Sequence, residues 1–233
     1  MESRSEYPTV AVVIPALNEA PSIARVLGDL PPVGRVIVVD NGSTDNTAEI
    51  ARSCGADVVR EDRRGYGQAC QTGIAEALAP RIGRRPAVIV ILDADAADDA
   101  TLLGQLVEPV LNDQADLVVS DRTSMADSGA LLPHQRLGNE LAIRLIHRTT
   151  GHRYRDMGPF RAIRAESLER LALVDRNYGW NVEMQMKAVQ AGLRIAEKPM
   201  PYRARVGVSK ISGTVRGTIG AGVKIIWSVW RYR

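Results

Sequence analysis

Val88-Ile89-Val90-Ile91-Leu92-Asp93-Ala94-Asp95 is an apolar run that stops on two acids. Its first five residues are rich in β-branched side chains, the composition of a strand buried on both faces. Side chains two apart in an extended chain point the same way, so Asp93 and Asp95 can aim at one ligand. Such a pair suits a hard divalent cation and leaves room for phosphate. The same residues also fit a polar turn in which Asp95 caps the next helix, and the stretch alone does not separate the two.

Upstream, residues 10–14 read as a buried strand closed by Pro15, with Asn18 and Glu19 just beyond. A helix over 21–30 follows, with Ile23, Val26, Leu27 and Leu30 on one face. Residues 36–39 form a second strand. It ends at Asp40-Asn41-Gly42-Ser43-Thr44-Asp45, where Gly42 supplies the turn and Ser43 or Thr44 caps a helix beginning near Asn46. A third strand over 57–59 leads through loop 60–67 to a helix over 68–78. Downstream of the opening stretch come a helix at 101–111 and a fifth strand at 116–120. Strands alternating with helices predict an α/β fold with a mostly parallel central sheet, whose ligands sit outside the carboxyl ends of the strands. Polar residues gather at four such ends: Asn18 and Glu19, Asp40 and Asn41, Asp93 and Asp95, Asp121 and Arg122.

The second half departs from alternation. Residues 133–149 predict an amphipathic helix, 156–159 a turn, 160–163 a short strand and 166 onward a small helix. Residues 178–190 predict a helix, and 193–202 a strand interrupted by prolines. A loop from 211 leads to a helix from about Thr218. No repeat or linker divides the chain, so residues 1–210 read as one domain and 211–233 as a basic helical segment packed on it or extending from it.

At 233 residues, 45% hydrophobic and 24% charged, the chain can bury one sizeable core. The net charge is only +3, but the last 31 residues from Arg203 hold seven basic side chains and no acid. That tail suits phosphates or an anionic membrane surface; without basic stripes interleaved with aromatics, nucleic acid is not an expected partner. No leader-like run opens the sequence and no stretch reaches the ~20 apolar residues of a membrane span. Cys54 and Cys70 read as small core residues in a reducing compartment. The expectation is a cytoplasmic protein, soluble or peripheral at the inner membrane face. There is no Gly-x-Gly-x-x-Gly after the first strand and no Gly-Lys-Ser/Thr loop, which disfavours dinucleotide enzymes and P-loop NTPases. His134, His147 and His152 lack zinc-ligand spacing, and Ser209 lacks a nucleophile-elbow setting.

With these residues in hand, the chain resembles the family 2 nucleotide-sugar glycosyltransferases of the GT-A fold, and within them the dolichyl- or polyprenyl-phosphate sugar synthases. The motifs that carry the likeness occur in order: Ile14-Pro15-Ala16-Leu17-Asn18-Glu19, Val39-Asp40-Asn41-Gly42-Ser43-Thr44-Asp45, Asp93-Ala94-Asp95, Asp156-Met157-Gly158-Pro159-Phe160-Arg161 and Arg205-Val206-Gly207-Val208-Ser209-Lys210. The family usually has Asp where Asn41 stands, and the membrane-spanning helices that follow the domain in some members have no counterpart here. The resemblance implies that Pro15, Ala16, Asn18, Glu19, Asp40, Asn41, Gly67, Asp93 and Ala94 bind the donor nucleotide, with loop 60–67 closing over it. Asp93 and Asp95 would be the family's Asp-x-Asp motif, holding Mg2+ or Mn2+ and the donor diphosphate.

Glycosyl transfer builds negative charge on the departing diphosphate, which a divalent cation stabilises. Asp95 is the first expectation for the metal, with Asp93 on the metal, on its water or on the ribose. Asp98 and Asp99 read as helix caps. A hydroxyl acceptor needs a general base, for which Asp156 and Glu183 are candidates; Glu183 has the alternative of pairing with Lys187. A phosphate monoester, with a second pKa of about 6, is already ionised and needs cations instead. Arg122, Arg136, Arg161, Arg205 and Lys210 are the candidates, each with solvated surface charge as its alternative. In phosphate-acceptor members, arginines matching Arg122 and Arg136 hold that phosphate. The expected activity is inverting transfer of glucose or mannose from a UDP- or GDP-sugar to a polyprenyl phosphate. The alternatives are a soluble hydroxyl acceptor, or a non-catalytic nucleotide-sugar-binding module. Trp227 and Trp230, beside Lys224 and Arg231, suit a membrane interface, core packing or a homodimer contact.

Overall fold

In the computed structural model, which describes residues 5–80, 85–207, 227 and 229–232, strands and helices alternate through the first half of the chain. The order is β1 (Tyr7–Ala16), α1 (Ile23–Asp29), β2 (Val33–Asp40), α2 (Thr47–Ser53), β3 (Asp57–Arg60), α3 (Tyr66–Leu78) and β4 (Val88–Ile91). A 3-10 turn (Ala100–Leu102) runs into α4 (Leu103–Leu111), then β5 (Leu117–Asp121), α5 (Pro133–Thr150), β6 (Arg161–Arg164), α6 (Ala165–Leu171), α7 (Trp180–Gln190) and β7 (Ile195–Pro199).

All seven strands join one sheet in the order β3-β2-β1-β4-β6-β5-β7. β1 pairs in parallel with β2 and β4, β2 with β3, and β5 with β7. β6 lies antiparallel between β4 and β5. The strand pleat sorts side chains into two cores. Val10, Val12, Ile14, Val88 and Val90 face α1 and α4 on one side; Ala11, Val13, Ile89 and Ile91 face α3, α6 and α7 on the other. This double burial is why β4 reads as an unbroken apolar run. Helix α3 lies so close to the sheet that a methyl group at Gly73 would press on Val13 and Val39.

The sheet places β1 between β2 and β4, so the strand order reverses there and opens a crevice at the carboxyl ends. Three local expectations change. The strand stops at Ile91, and Asp93–Asp95 lie in a turn followed by Ala96 at φ 58°, so strand alternation is not what brings the two acids together. The α2 cap is neither Ser43 nor Thr44: Asp45 accepts from the Thr47 amide and hydroxyl, while Ser43 and Thr44 bond to Asn18. Cys54 is exposed at the end of α2, whereas Cys70 is buried.

Lys210 and the expected helix start at Thr218 lie outside the described residues. Farther on, Val229 is buried against Ala142, Ile143 and Met186 of α5 and α7. Among the described residues no helix is long and apolar enough to cross a membrane.

Substituting Gly73→Ala is expected to destabilise the protein by about 1–3 kcal/mol, the usual penalty of overpacking. A urea melt checks it; an unchanged midpoint would mean that α3 sits farther from β1 than described.

Candidate active site

The exits of β1, β2 and β4 and the start of α3 enclose a cavity of about 360 Å³. Pro15, Ala16, Glu19, Asn41, Asp93, Ala94 and Asp95, all expected at the donor, come together in its lining. Arg64, Gly65 and Tyr66 of loop 60–67 also line it, whereas sequence reading did not anticipate Asn177 and Tyr178. Those two arrive from a distant loop.

Asn41 explains its own departure from Asp. Its amide nitrogen donates to the carbonyls of Glu61 (3.0 Å) and Arg63 (2.8 Å), and its oxygen accepts from the Gly65 amide (2.8 Å). A carboxylate has no proton to give those two carbonyls. Asn41 therefore fastens the wall of the pocket. Gly65 and Gly67 let the 174–178 loop approach closely, because a side-chain carbon at either would strike the backbone of Arg176 or Asp175.

The two acids differ. Asp93 Oδ1 accepts from the Tyr66 hydroxyl at 3.0 Å. Burial, and then the charge of Asp95, push the Asp93 carboxyl up to about 7, against the pull of Tyr66, Arg122 and Arg205. Asp95 spends Oδ1 on the Ala97 amide (3.0 Å) and turns Oδ2 toward Arg205 (3.5 Å). Arg205, expected among the acceptor-phosphate cations, instead bonds Glu19 Oε1 at 2.9 Å and lines the first cavity. Asp99 is a cap, accepting from Thr101. Asp98 is not: it is buried with both oxygens unpartnered, and burial pushes its carboxyl well up.

A second cavity of about 430 Å³ is lined by Arg122, Arg136, Arg155 and Asp156, with Gln135 and Asn139. Asp156 is fully buried and grips Arg122 with both oxygens, at 2.6 and 2.9 Å. Burial raises the Asp156 carboxyl, but the hydrogen bonds and charge of Arg122 outweigh it and hold the group below its usual range. Asp156 is therefore a weak proton acceptor and a counter-ion for Arg122, not a base. The Arg122 guanidinium lies 4.9 Å from the Tyr202 ring centroid.

Other expectations fail on burial or geometry. Glu183 is 0% exposed; it takes the amides of Val174 (2.9 Å) and Asp175 (2.7 Å) and pairs with Lys187 at 2.7 Å. It holds the 174–178 loop and is not placed to act as a base. Arg161 is also fully buried, donating to the carbonyls of Gly158 and Pro159, so it braces the turn beneath the cavities and meets no phosphate there. Asp40 Oδ1 accepts from the Ser43 amide (2.9 Å) and Asn18 Oδ1 from the Thr44 amide (2.7 Å). Neither lines the first cavity, nor does Gly67.

Replacing Asn41→Asp removes its two donations to the loop carbonyls, a loss of about 1–3 kcal/mol. Tryptic cleavage after Arg63 and Arg64 is expected to accelerate roughly tenfold. An unchanged rate would show that the loop is held elsewhere.

The model for Glycosyl transferase family 2 matches residues 11–172. An uncharacterized glycosyltransferase of Mycobacterium tuberculosis strain H37Rv is 39% identical over 225 residues, 94% of this chain and 97% of that protein. A dolichyl-phosphate hexose transferase of Haloferax volcanii is 34% identical, with 88% of this chain and 87% of that one covered. An undecaprenyl-phosphate mannosyltransferase of Micrococcus luteus is 30% identical, with 89% of each chain covered. Among solved structures, glucosyl-3-phosphoglycerate synthase from M. tuberculosis, in complex with Mn2+, UDP-glucose and phosphoglyceric acid, superposes with a TM-score of 0.75. That match covers 96% of this chain and 79% of the other at 24% identity, a likeness of fold. The chain belongs to glycosyltransferase family 2, and its sheet is that of the GT-A fold.

Proposed function

We propose that this transferase moves a hexose from a UDP- or GDP-sugar to a polyprenyl phosphate, with Mg2+ or Mn2+ bound at the β4 exit. The observation that carries the reading is the arginine-lined second cavity beside the carboxylate-lined first one. Arg122 is preorganised there by Asp156, while Arg136 and Arg155 bring two more forks suited to phosphate oxygens. The H. volcanii and M. luteus relatives, whose names specify dolichyl- and undecaprenyl-phosphate, support the same acceptor class.

The residues fit a divalent ion. Asp95 and Asp93 offer hard oxygen ligands, and among the described residues no group of three or more His, Cys, Asp or Glu could hold a metal. That suits an ion that takes its remaining ligands from phosphate and water. Such an ion supplies Lewis-acid stabilisation of the leaving diphosphate. Arg122 and Arg136 hold the acceptor phosphate as its dianion. One phosphate oxygen attacks the anomeric carbon, and the carbon–oxygen bond to the diphosphate breaks on the opposite face, inverting that centre. A dianion has no proton to lose, so the pairing of Asp156 and Glu183 with cations leaves the step intact.

A lipid acceptor also suits the surroundings of the second cavity. Met125, Leu132 and Leu137, in the loop before α5 and its first turns, are 49%, 42% and 73% exposed, apolar side chains that a membrane surface would cover. Trp227 and Trp230 add a second, amphipathic contact at the cytoplasmic face. A soluble hydroxyl acceptor is the second reading, favoured by the phosphoglyceric acid in the complex of the structural neighbour. Glu140, which lines the cavity and pairs with Arg144 at 2.7 Å, would then be the base to test.

Radiolabelled UDP- and GDP-hexoses incubated with Mn2+ and a short-chain polyprenyl phosphate, then extracted with butanol, separate the readings. Label is expected in the organic phase; turnover only with a soluble hydroxyl acceptor would overturn the lipid assignment. Asp95→Ala should abolish transfer, and full activity in that variant would remove the metal assignment. Arg122→Ala is expected to lower kcat/KM for the lipid phosphate at least 100-fold, on the order of 3 kcal/mol of lost transition-state binding, while nucleotide affinity stays within twofold.

A further inference from the structure

After β7 the chain turns back across the β4 exit. The Met200 amide donates to Asp121 O, the Arg203 amide to Ala97 O and the Val206 amide to Asp95 O, each at 2.9 Å. The Arg203 side chain adds an ion pair with Asp99 at 2.5 Å. Main-chain bonds on both sides thus fix where Arg205 stands. Its guanidinium reaches Glu19 Oε1 at 2.9 Å and Asp95 Oδ2 at 3.5 Å, while its Nε lies buried without a partner. With Asp95 Oδ1 on the Ala97 amide, the oxygen left for a metal already faces a protein cation.

We propose that Arg205 is a built-in counter-ion for the cation site: it holds Asp95 and Glu19 in the nucleotide-free enzyme, weakens binding of a divalent ion alone, and moves onto the diphosphate when nucleotide arrives. Divalent ion and guanidinium repel each other at Asp95, and among the described residues no group of three or more His, Cys, Asp or Glu is placed to hold the metal without it. A nucleoside diphosphate reverses the balance by giving Arg205 a stronger anion, and the unused Nε–H completes a two-pronged fork for its oxygens. Nucleotide and cation each raise the affinity of the other by one and the same factor. The strap at 200–207 makes this a side-chain exchange, with its backbone anchored throughout.

The inference rests on the metal–diphosphate reading of the β4 exit, and Mn2+ binding read by electron paramagnetic resonance distinguishes the two. The titrations use the whole protein with Mn2+ alone and with UDP or GDP. Arg205→Gln is expected to bind Mn2+ alone at least fivefold more tightly than the wild type, and Arg205→Lys, which keeps the charge, to stay near wild type. Adding Asp95→Asn to Arg205→Gln should abolish the gain. Equal or weaker Mn2+ binding by Arg205→Gln would overturn the counter-ion role, even where nucleotide and Asp95 together still retain Mn2+ in the wild type. Absence of Asp95-dependent Mn2+ binding under every condition would overturn the underlying metal reading as well. Arg205→Met, which keeps the packed stem without the charge, gives the same decision if the Gln variant does not fold.

Discussion

Two carboxylates at the mouth of a strand with no solvent on either face must be balanced by charge and hydrogen bonds brought from elsewhere. The surroundings of Asp93 and Asp95 follow from that constraint. Tyr66 at the start of α3 bonds one, Arg205 from the returning strap faces the other, and the field of Arg122 reaches Asp93 from the neighbouring cavity. Three segments far apart in sequence are thereby committed to one place. The first cavity is the space they leave between them.

Its walls are then held at one remove. Asn41 fastens the 61–65 loop, and Glu183 fastens the 174–178 loop, each through backbone groups. Arg161 does comparable work beneath the 157–159 carbonyls, next to the acid that orients Arg122. Each of these polar side chains shapes the site while presenting little of itself to a ligand. Burial of the Glu183 charge is offset by Lys187 and two backbone amides, and that of Arg161 by the carbonyls it donates to.

Much of the frame was legible because it is written in local patterns. The apolar runs of β1, β2, β4 and β5 mark strands buried on both faces, and acids and amides directly after them mark the ligand-facing edge. What the pattern does not carry is depth. Glu183 and Arg161 are charged residues beside recognisable motifs, and only the three-dimensional packing reveals that both are at 0% exposure. Geometry beyond a strand end is equally silent. The two acids meet in a turn with Ala96 in the left-handed region, whereas strand alternation predicts the same pairing for a different reason. Asn177 and Tyr178 enter the pocket from a loop held by contacts across more than one hundred residues, as between Gln71 and Asp175, which no window of sequence reports.

The reversed direction of β6 separates the two cavities along the chain as well as in space. Parallel strands deliver the first cavity at their exits, but the Asp156 turn arrives at the same edge by entering a strand that runs the other way. Arg136 and Asn139 belong to α5, an insertion between β5 and that reversed strand. A lineage can therefore lengthen, shorten or re-charge the 122–156 segment without moving β1, β2 or β4. One scaffold can keep its activated-sugar chemistry fixed while its choice of acceptor drifts, a division of labour that lets a single fold diversify by editing one stretch of chain.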